Sequence, residues 1–237
     1  MQFDVILEPA VLKLFGKGIV TALELLIISL AVGGFLALPL AIMRVSRNKF
    51  VSLPVWLYTY VMRGTPMLVQ VYLIYYGVAQ LEWVQQHWDT VWPWTYFKEP
   101  MFCAAFAFAL NTCAYTTEML AGAIRETNYG EIEAAKAMGM SKWQAMRRII
   151  LPSAMRRTLP SYSNEVIMML HGTSLASTVP ALLDITGAAR SVYSDYYLPF
   201  EAFITAGLIY MVLTFSLVGL FKLAEKRWLA YLQPRKH

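Results

Sequence analysis

The side chains with the most chemical potential lie in one apolar stretch. Glu165 falls a few residues inside a hydrophobic segment that runs from about Leu159 to Leu183. A carboxylate within hydrocarbon costs about 2.5–3.5 kcal/mol on insertion scales, so it requires a partner or a wet cavity. Ser161, Glu165 and Gly172 stand at i, i+4 and i+11 and share one helix face, while Asn164 and His171, seven apart, share the neighbouring one. The set offers a carboxylate for an ammonium group and an amide and an imidazole for hydrogen bonds to a ligand. Its glycine lets a ligand or a helix come close. The same stripe also suits polar glue between packed helices, and the residues alone leave both readings open.

Asn111, Thr112 and Thr116 make a second apolar segment polar near its middle, with the same two readings. Glu118 precedes Arg125 by seven residues, which suggests an orienting ion pair. Arg63 is expected at the cytoplasmic edge, with a role as counter-charge to a carboxylate as the alternative. Glu24 is expected to reach water. Asp184, Asp195 and Glu201 are expected as solvated loop charges, or else as a surface that meets a soluble partner or attracts cations.

Other chemistries lack their residues. Cys103 and Cys113 share one apolar segment ten residues apart, without metal-ligand spacing, and read as filler. No catalytic dyad stands at a recognisable spacing, and no G-x-x-x-x-G-K-[ST] phosphate loop occurs.

The elements that hold these residues are membrane helices. Of 237 residues, 58% are hydrophobic and 15% charged, against about a quarter charged in soluble domains. The net charge of +5 is not a nucleic-acid signal, because its placement is one-sided. A span needs about 20 mostly apolar residues. Such runs fall at 19–43, 53–78, 101–123, 159–183 and 200–223, the second interrupted by Arg63-Gly64-Thr65-Pro66. The expectation is an all-α integral membrane protein with five spans in a single domain, 1–237. No cleavable leader is expected. The Trp-rich stretch Glu82 to Glu99, with Trp228 and Tyr231, reads as interfacial anchors. Fifteen basic residues follow the first, third and fifth spans, Arg235 and Lys236 among them, against four on the other side. That bias places the N-terminus outside and the C-terminus inside.

A polar insert, 128–153, separates the third and fourth spans on the basic side. Glu131 to Met138 is rich in helix formers, Gly139 breaks the helix, and Ser141-Lys142-Trp143-Gln144 matches a capping box. Trp143, Met146 and Ile150 predict one apolar face, and Pro152 predicts the end of the second helix. Two short helices joined at a glycine suit a protein cleft, and equally the lipid headgroups.

Three motifs resolve that choice by resemblance. Glu133-Ala134-Ala135, Gly139, Ile149 and Leu151-Pro152 resemble the EAA motif in membrane subunits of ATP-binding-cassette importers. Arg63-Gly64-Thr65-Pro66-Met67-Leu68-Val69-Gln70 resembles the RGTPxLVQ signature of polar amino-acid permeases. Ser163-Asn164-Glu165-Val166 and Leu170-His171-Gly172-Thr173-Ser174-Leu175 complete the match, with His171 where most members carry lysine. The histidine is similar to the M-type subunits of histidine/lysine/arginine/ornithine importers and their arginine/ornithine relatives.

The resemblance covers nearly the whole chain and implies a translocation path for basic amino acids in a bacterial inner membrane. Along such a path the intramembrane polar residues Glu165, Asn164, Ser161, His171 and Asn111 are the expected substrate-binding groups. The resemblance implies coupling roles for Glu133, Ala134, Ala135, Gly139 and Ser141. The implied partners are a homologous Q-type permease subunit, a dimeric ATP-binding subunit that uses ATP-Mg, a periplasmic amino-acid-binding protein and the lipid bilayer, with no nucleic acid. This chain itself is expected to hold no cofactor and no metal and to do no chemistry. The alternatives are the same machinery with another polar amino acid such as glutamine, a stand-alone channel or secondary transporter, and a membrane-anchored enzyme. The absence of an evident inverted repeat weighs against the secondary transporter.

Overall fold

Small residues recur along the first long helix at the spacing that lets two backbones touch. Gly18, Ala22, Ser29, Gly33, Ala37 and Ala41 are all buried, whereas Ile27, Val32, Phe35 and Leu36 on the other side are exposed. Large apolar groups outside and small groups inside is the pattern of helices that pack in lipid, where burying hydrocarbon gives no driving force and close packing must supply it. In the computed structural model, which describes residues 3–92 and 94–228, this helix is α1, Pro9–Arg44.

The remaining helices are α2 (Lys49–Gly64), α3 (Met67–Tyr72), α4 (Glu82–His87), α5 (Pro100–Arg125), α6 (Tyr129–Ala137), α7 (Lys142–Ala145), α8 (Leu151–Gly172), α9 (Ile185–Tyr196) and α10 (Pro199–Trp228). Among the described residues there is no strand. At 1.5 Å per residue α1, α5, α8 and α10 measure about 54, 39, 33 and 45 Å, each enough for a hydrocarbon core of about 30 Å. By length and composition together α1 and α10 pass as membrane helices, with mean hydropathy of 2.5 and 2.1. Only 6% of the apolar window of α10 is buried. Leu208, Val212, Phe215, Leu220 and Leu223 stand open along it, a surface that water does not tolerate at this extent.

α5 is the hub. Its buried residues point to every side and it packs on α1, α2, α3 and α8. Gly33 of α1 makes the closest approach: a Cβ there would stand 2.2 Å from Thr112 Cγ2 and 2.7 Å from the Ala109 carbonyl oxygen. α1, α5 and α10 run parallel to one another, and α2–α3 and α8 run antiparallel to them. Paired contacts fix these directions: Arg44 with Glu118, Gln70 with Asn111, Arg157 with Thr127, Glu165 with Thr112, and His171 with Thr214. One end of the bundle therefore gathers Arg44, Arg47, Lys49, Arg125 and the 129–150 segment, and is called the basic end below. Tyr231, Arg235 and Lys236 lie outside the described residues.

Three local expectations are corrected. Pro152 does not end a helix. A π-helical turn at Met146–Ile150, closed by the Leu151 N–H on the Met146 carbonyl, absorbs the missing proline donor, and the chain stays helical from Lys142 to Gly172. The fourth apolar run is likewise not one helix over 159–183. α8 stops at Gly172, a 3₁₀ stretch follows at Thr173–Thr178, and α9 starts after Asp184. Asp184 is not a solvated loop charge. It is fully buried, caps α9 by accepting from Thr186 and Gly187 N–H (3.0 Å each), and accepts from the Tyr210 hydroxyl at 3.1 Å. Glu201 is also buried, whereas Glu24 and Asp195 are exposed.

Candidate functional site

The site is built on a deliberate helix break. Pro66 has no N–H and pushes Thr65 out of helical geometry, so α2 ends with Thr65 extended (φ −114°, ψ 144°) and α3 restarts after Pro66. A break inside a bilayer frees carbonyls that have no water to turn to. Gln70 supplies the donors. Its Nε2 donates to the Met62 carbonyl (2.7 Å), the Thr65 carbonyl (3.1 Å) and Thr65 Oγ1 (2.8 Å). Thr65 Oγ1 in turn donates to the Val61 carbonyl at 2.9 Å. On the other side Gln70 Oε1 accepts from Asn111 Nδ2 of α5 at 3.0 Å, with both residues buried. Asn111, expected as pocket or glue, is thus engaged in holding the break.

The break sets the depth of Arg63. Its guanidinium lies 5.3 Å from the Tyr115 ring centroid, and the Tyr115 hydroxyl donates to the Arg63 carbonyl at 3.5 Å. Tyr115 is ten residues from Arg125, so Arg63 stands about 15 Å inside the basic end rather than at its edge. The Arg63 side chain is exposed and lies within electrostatic reach of both Glu165 and Glu118.

Glu165 is buried at 8% exposure, and Thr112 Oγ1 donates to its Oε1 at 2.9 Å. Beside it on α8, Ser161, Asn164, Met168 and His171 form an exposed strip. Among the described residues the side chains of Ser161 and Asn164 make no hydrogen bond, while His171 Nε2 stands 3.0 Å from Thr214 Oγ1 of α10. The structure therefore separates the residues singled out in α8. Glu165 turns toward α5, Ser161 and Asn164 face outward without a partner among the described residues, and His171, although exposed, reaches Thr214 of α10. Together with Arg63, the region offers a carboxylate, a guanidinium and free amide and hydroxyl groups at middle depth. That set can bind a zwitterion and cannot by itself cleave or transfer a group.

Closer to the basic end, Glu118 pairs with Arg44 (Nε to Oε1, 2.6 Å) and accepts from Thr59 Oγ1 at 2.7 Å. The expected Glu118–Arg125 pair is not formed; Arg125 reaches the Arg44 carbonyl instead, at 3.5 Å. Arg157 fastens α8 to α5. It donates to Ser153 Oγ (2.7 Å), the Ala123 carbonyl (2.9 Å) and Thr127 Oγ1 (3.1 Å). Sequence reasoning counted Arg157 only as a charge and Gln70 only as a motif letter. The usable signals were an amide one turn past a helix-breaking proline, and an arginine one turn after Ser153.

The insert has the shape its residues predict. Asn128 caps α6 by accepting from Gly130 N–H at 3.0 Å. Gly139 takes φ +72°, where a side chain costs about 1–2 kcal/mol. Ser141 and Gln144 form the reciprocal capping box, with Oγ accepting at 3.3 Å and Oε1 at 2.9 Å. The predicted apolar face divides. Met146 and Ile150 pack on the core between α1, α5 and α8, while Trp143 projects outward at 61% exposure. Tyr129 and Met138 are open too, as are Glu133, Ala134, Gly139 and Ser141, whereas Ala135 is buried against its own chain. The result is a knob of aromatic, thioether and acidic groups that this chain leaves unpartnered. Among the described residues no cluster of metal-ligating side chains occurs.

Comparison with known proteins identifies the family and the fold. Residues 19–230 match the family described as "Binding-protein-dependent transport system inner membrane component". The histidine/lysine/arginine/ornithine transport system permease protein HisM of Escherichia coli K12 is 50% identical over 219 residues, which are 92% of this chain and 90% of that one. The nopaline transport system permease protein NocM of Agrobacterium fabrum is 47% identical over 86% of this chain and 83% of that one. Among solved structures, an amino acid ABC transporter crystallised with histidines superposes with a TM-score of 0.77 at 32% identity, covering 91% of this chain and 94% of that one. The methionine transporter MetNI in an inward-facing form shares the fold, with a TM-score of 0.74 at 16% identity, covering 96% of this chain and 100% of that one. The chain belongs to the family of inner-membrane components of binding-protein-dependent transport systems.

Proposed function

We propose that this family member forms half of a path by which a basic amino acid crosses the bacterial inner membrane, driven by ATP that separate subunits hydrolyse. The observation that carries this reading is the outward polar strip of α8 at the depth of the α2–α3 break. There Arg63 suits the α-carboxylate of the cargo, and Glu165 suits an ammonium or guanidinium group. Asn164, Ser161 and His171 supply hydrogen bonds. Asn111 acts through Gln70, by holding the break that positions Arg63. A face this polar, left open by the chain's own helices, calls for a second permease subunit opposite, of homologous Q-type, so that the cargo passes between the two.

The basic end is cytoplasmic on this reading, by the bias of positive charge. Five crossings then follow: α1, the broken α2–α3, α5, α8 and α10, with the N-terminus outside. The knob at 129–145 docks into a dimeric ATP-binding subunit, with Glu133, Ala134, Gly139 and Ser141 at its surface and Ala135 packing it from within. A periplasmic binding protein delivers the cargo at the opposite end.

A second reading keeps the machinery and changes the cargo to another polar amino acid or derivative, such as glutamine. In its favour, relatives named for nopaline and octopine transport are 47% and 46% identical. The deciding experiment is reconstitution with the co-purifying permease, ATPase and binding protein, followed by ATPase stimulation across a panel of amino acids. Stimulation by arginine, lysine, histidine or ornithine supports the first reading. Stimulation by glutamine alone overturns it in favour of the second. Transport in the absence of any ATPase overturns both.

A further inference from the structure

A cavity of about 870 Å³ opens between α1, α5, α8 and α10 at the basic end, away from the polar strip. Its α8 lining includes Met155 and Leu159; at 100° per residue Leu159 stands roughly 140–160° around the helix from Ser161 and Asn164. The cavity thus faces away from Ser161 and Asn164, while Tyr162 and Thr116 carry its inner end toward Glu165 and Thr112. Phe35 and Leu38 of α1 and Leu120 of α5 make its walls apolar. Its rim is different: Arg156 from the start of α8 and Arg227 and Trp228 from the end of α10. Both arginines are exposed, and neither forms an ion pair among the described residues.

Apolar walls toward the bundle middle and two exposed guanidinium groups at the basic rim, without an ion pair among the described residues, match one class of molecule. The acyl chains of a phospholipid fill the walls. Its phosphate accepts hydrogen bonds from Arg156 and Arg227, which present planar donor pairs suited to phosphate oxygens. Basic pockets between membrane helices on the cytoplasmic side are where anionic headgroups bind. Trp228 stands at the level where an indole favours the headgroup boundary. A volume of this order is also that of a ligand pocket rather than of a packing defect. A purely apolar partner helix would leave both arginines unmatched.

We propose that this cavity binds an anionic phospholipid of the cytoplasmic leaflet, such as phosphatidylglycerol, with its phosphate between Arg156 and Arg227. The assignment rests on the basic end being cytoplasmic. The bound lipid braces α8 close to where that helix continues into the docking knob. It therefore supports coupling from the side of the helix opposite the cargo strip.

The test uses the complete transporter purified with its partner subunits and does not require transport. Native mass spectrometry counts phosphatidylglycerol retained after detergent washing, in competition with phosphatidylcholine. The parent is expected to retain phosphatidylglycerol selectively. Arg156→Gln with Arg227→Gln should weaken retention roughly thirtyfold, two surface guanidinium groups' worth. The paired Arg→Lys variant should recover much of it, and Leu38→Trp should displace the lipid while leaving both charges in place. Equal retention by parent and paired Gln variant overturns the proposal, as does equal retention of the two lipids by the parent. Loss of the partner permease from the Gln variant, with lipid retention unchanged, also overturns it and makes this face a subunit contact. Failure of ATPase stimulation by basic amino acids would touch the proposed cargo and leave the lipid count unaffected.

Discussion

Replacing Gln70 with leucine tests whether the helix break is held or merely tolerated. The side chain's two Nε2 hydrogens serve three acceptors, and its Oε1 serves Asn111, so about three hydrogen bonds disappear. Interhelical bonds of this kind in membranes average about 0.6 kcal/mol each, roughly 2 kcal/mol together. Asn111 is 7% exposed and is left with an unpaired amide, which adds about 1–3 kcal/mol. The expected local destabilisation is therefore about 3–5 kcal/mol. Hydrogen exchange of the amides in α3, measured in the assembled complex in nanodiscs, reads it directly. Protection should fall roughly a hundredfold or more, at 1.4 kcal/mol per decade. The double variant with Asn111→Leu removes the orphaned amide, so its loss should be at least about 1 kcal/mol smaller than the sum of the single losses. Protection within threefold of the parent in Gln70→Leu would refute the clamp.

Other outcomes are expected from the same contacts. Gly33→Ala should destabilise the chain by about 1–3 kcal/mol through its overlap with Thr112 and Ala109, while Gly34→Ala, 3.6 Å from the Tyr162 hydroxyl, should be nearly neutral; thermal unfolding in detergent separates them. Gly139→Asp should leave insertion intact, since among the described residues nothing lies within 4 Å of the new Cβ and the positive φ costs only about 1–2 kcal/mol, yet it should uncouple ATP hydrolysis from uptake, and normal uptake would remove the docking role. Glu165→Gln should lower uptake of cationic amino acids at least tenfold with little effect on assembly, and unchanged uptake would discard Glu165 as the cation's partner. Arg157→Gln should reduce cargo-stimulated ATPase activity more than basal activity, because it frees α8 from α5; equal effects on both would remove its linking role.

How far the residues alone reached depended on whether a local rule governed them. The capping box at Ser141, the turn at Gly139 and the interruption at Pro66 are set by backbone donors and φ/ψ limits within a few positions, so they were legible. Arg63, Glu118 and Asp184 were misplaced because their partners are distant in sequence. Arg44 lies 74 positions from Glu118, and Tyr210 lies 26 from Asp184. The stripe on α8 was visible as a stripe. Which side of it faced α5 was not, since Glu165 and Asn164 are adjacent and the choice depends on Thr112. Pro152 misled because a π-turn, formed only with the packing of Met146 and Ile150, carries the helix past it.

The unbroken run of helix from Lys142 to Gly172 has a mechanical meaning once Arg157 is taken as its fixed point. Trp143 lies fourteen residues on one side and Asn164 seven on the other, arms of about 21 and 10.5 Å. The helix is then a lever with its fulcrum off centre. A tilt of about 10° that moves Trp143 by about 3.7 Å moves Asn164 by about 1.8 Å in the opposite direction. Closure of a motor around the long arm would arrive at the cargo strip halved in amplitude and reversed in sense.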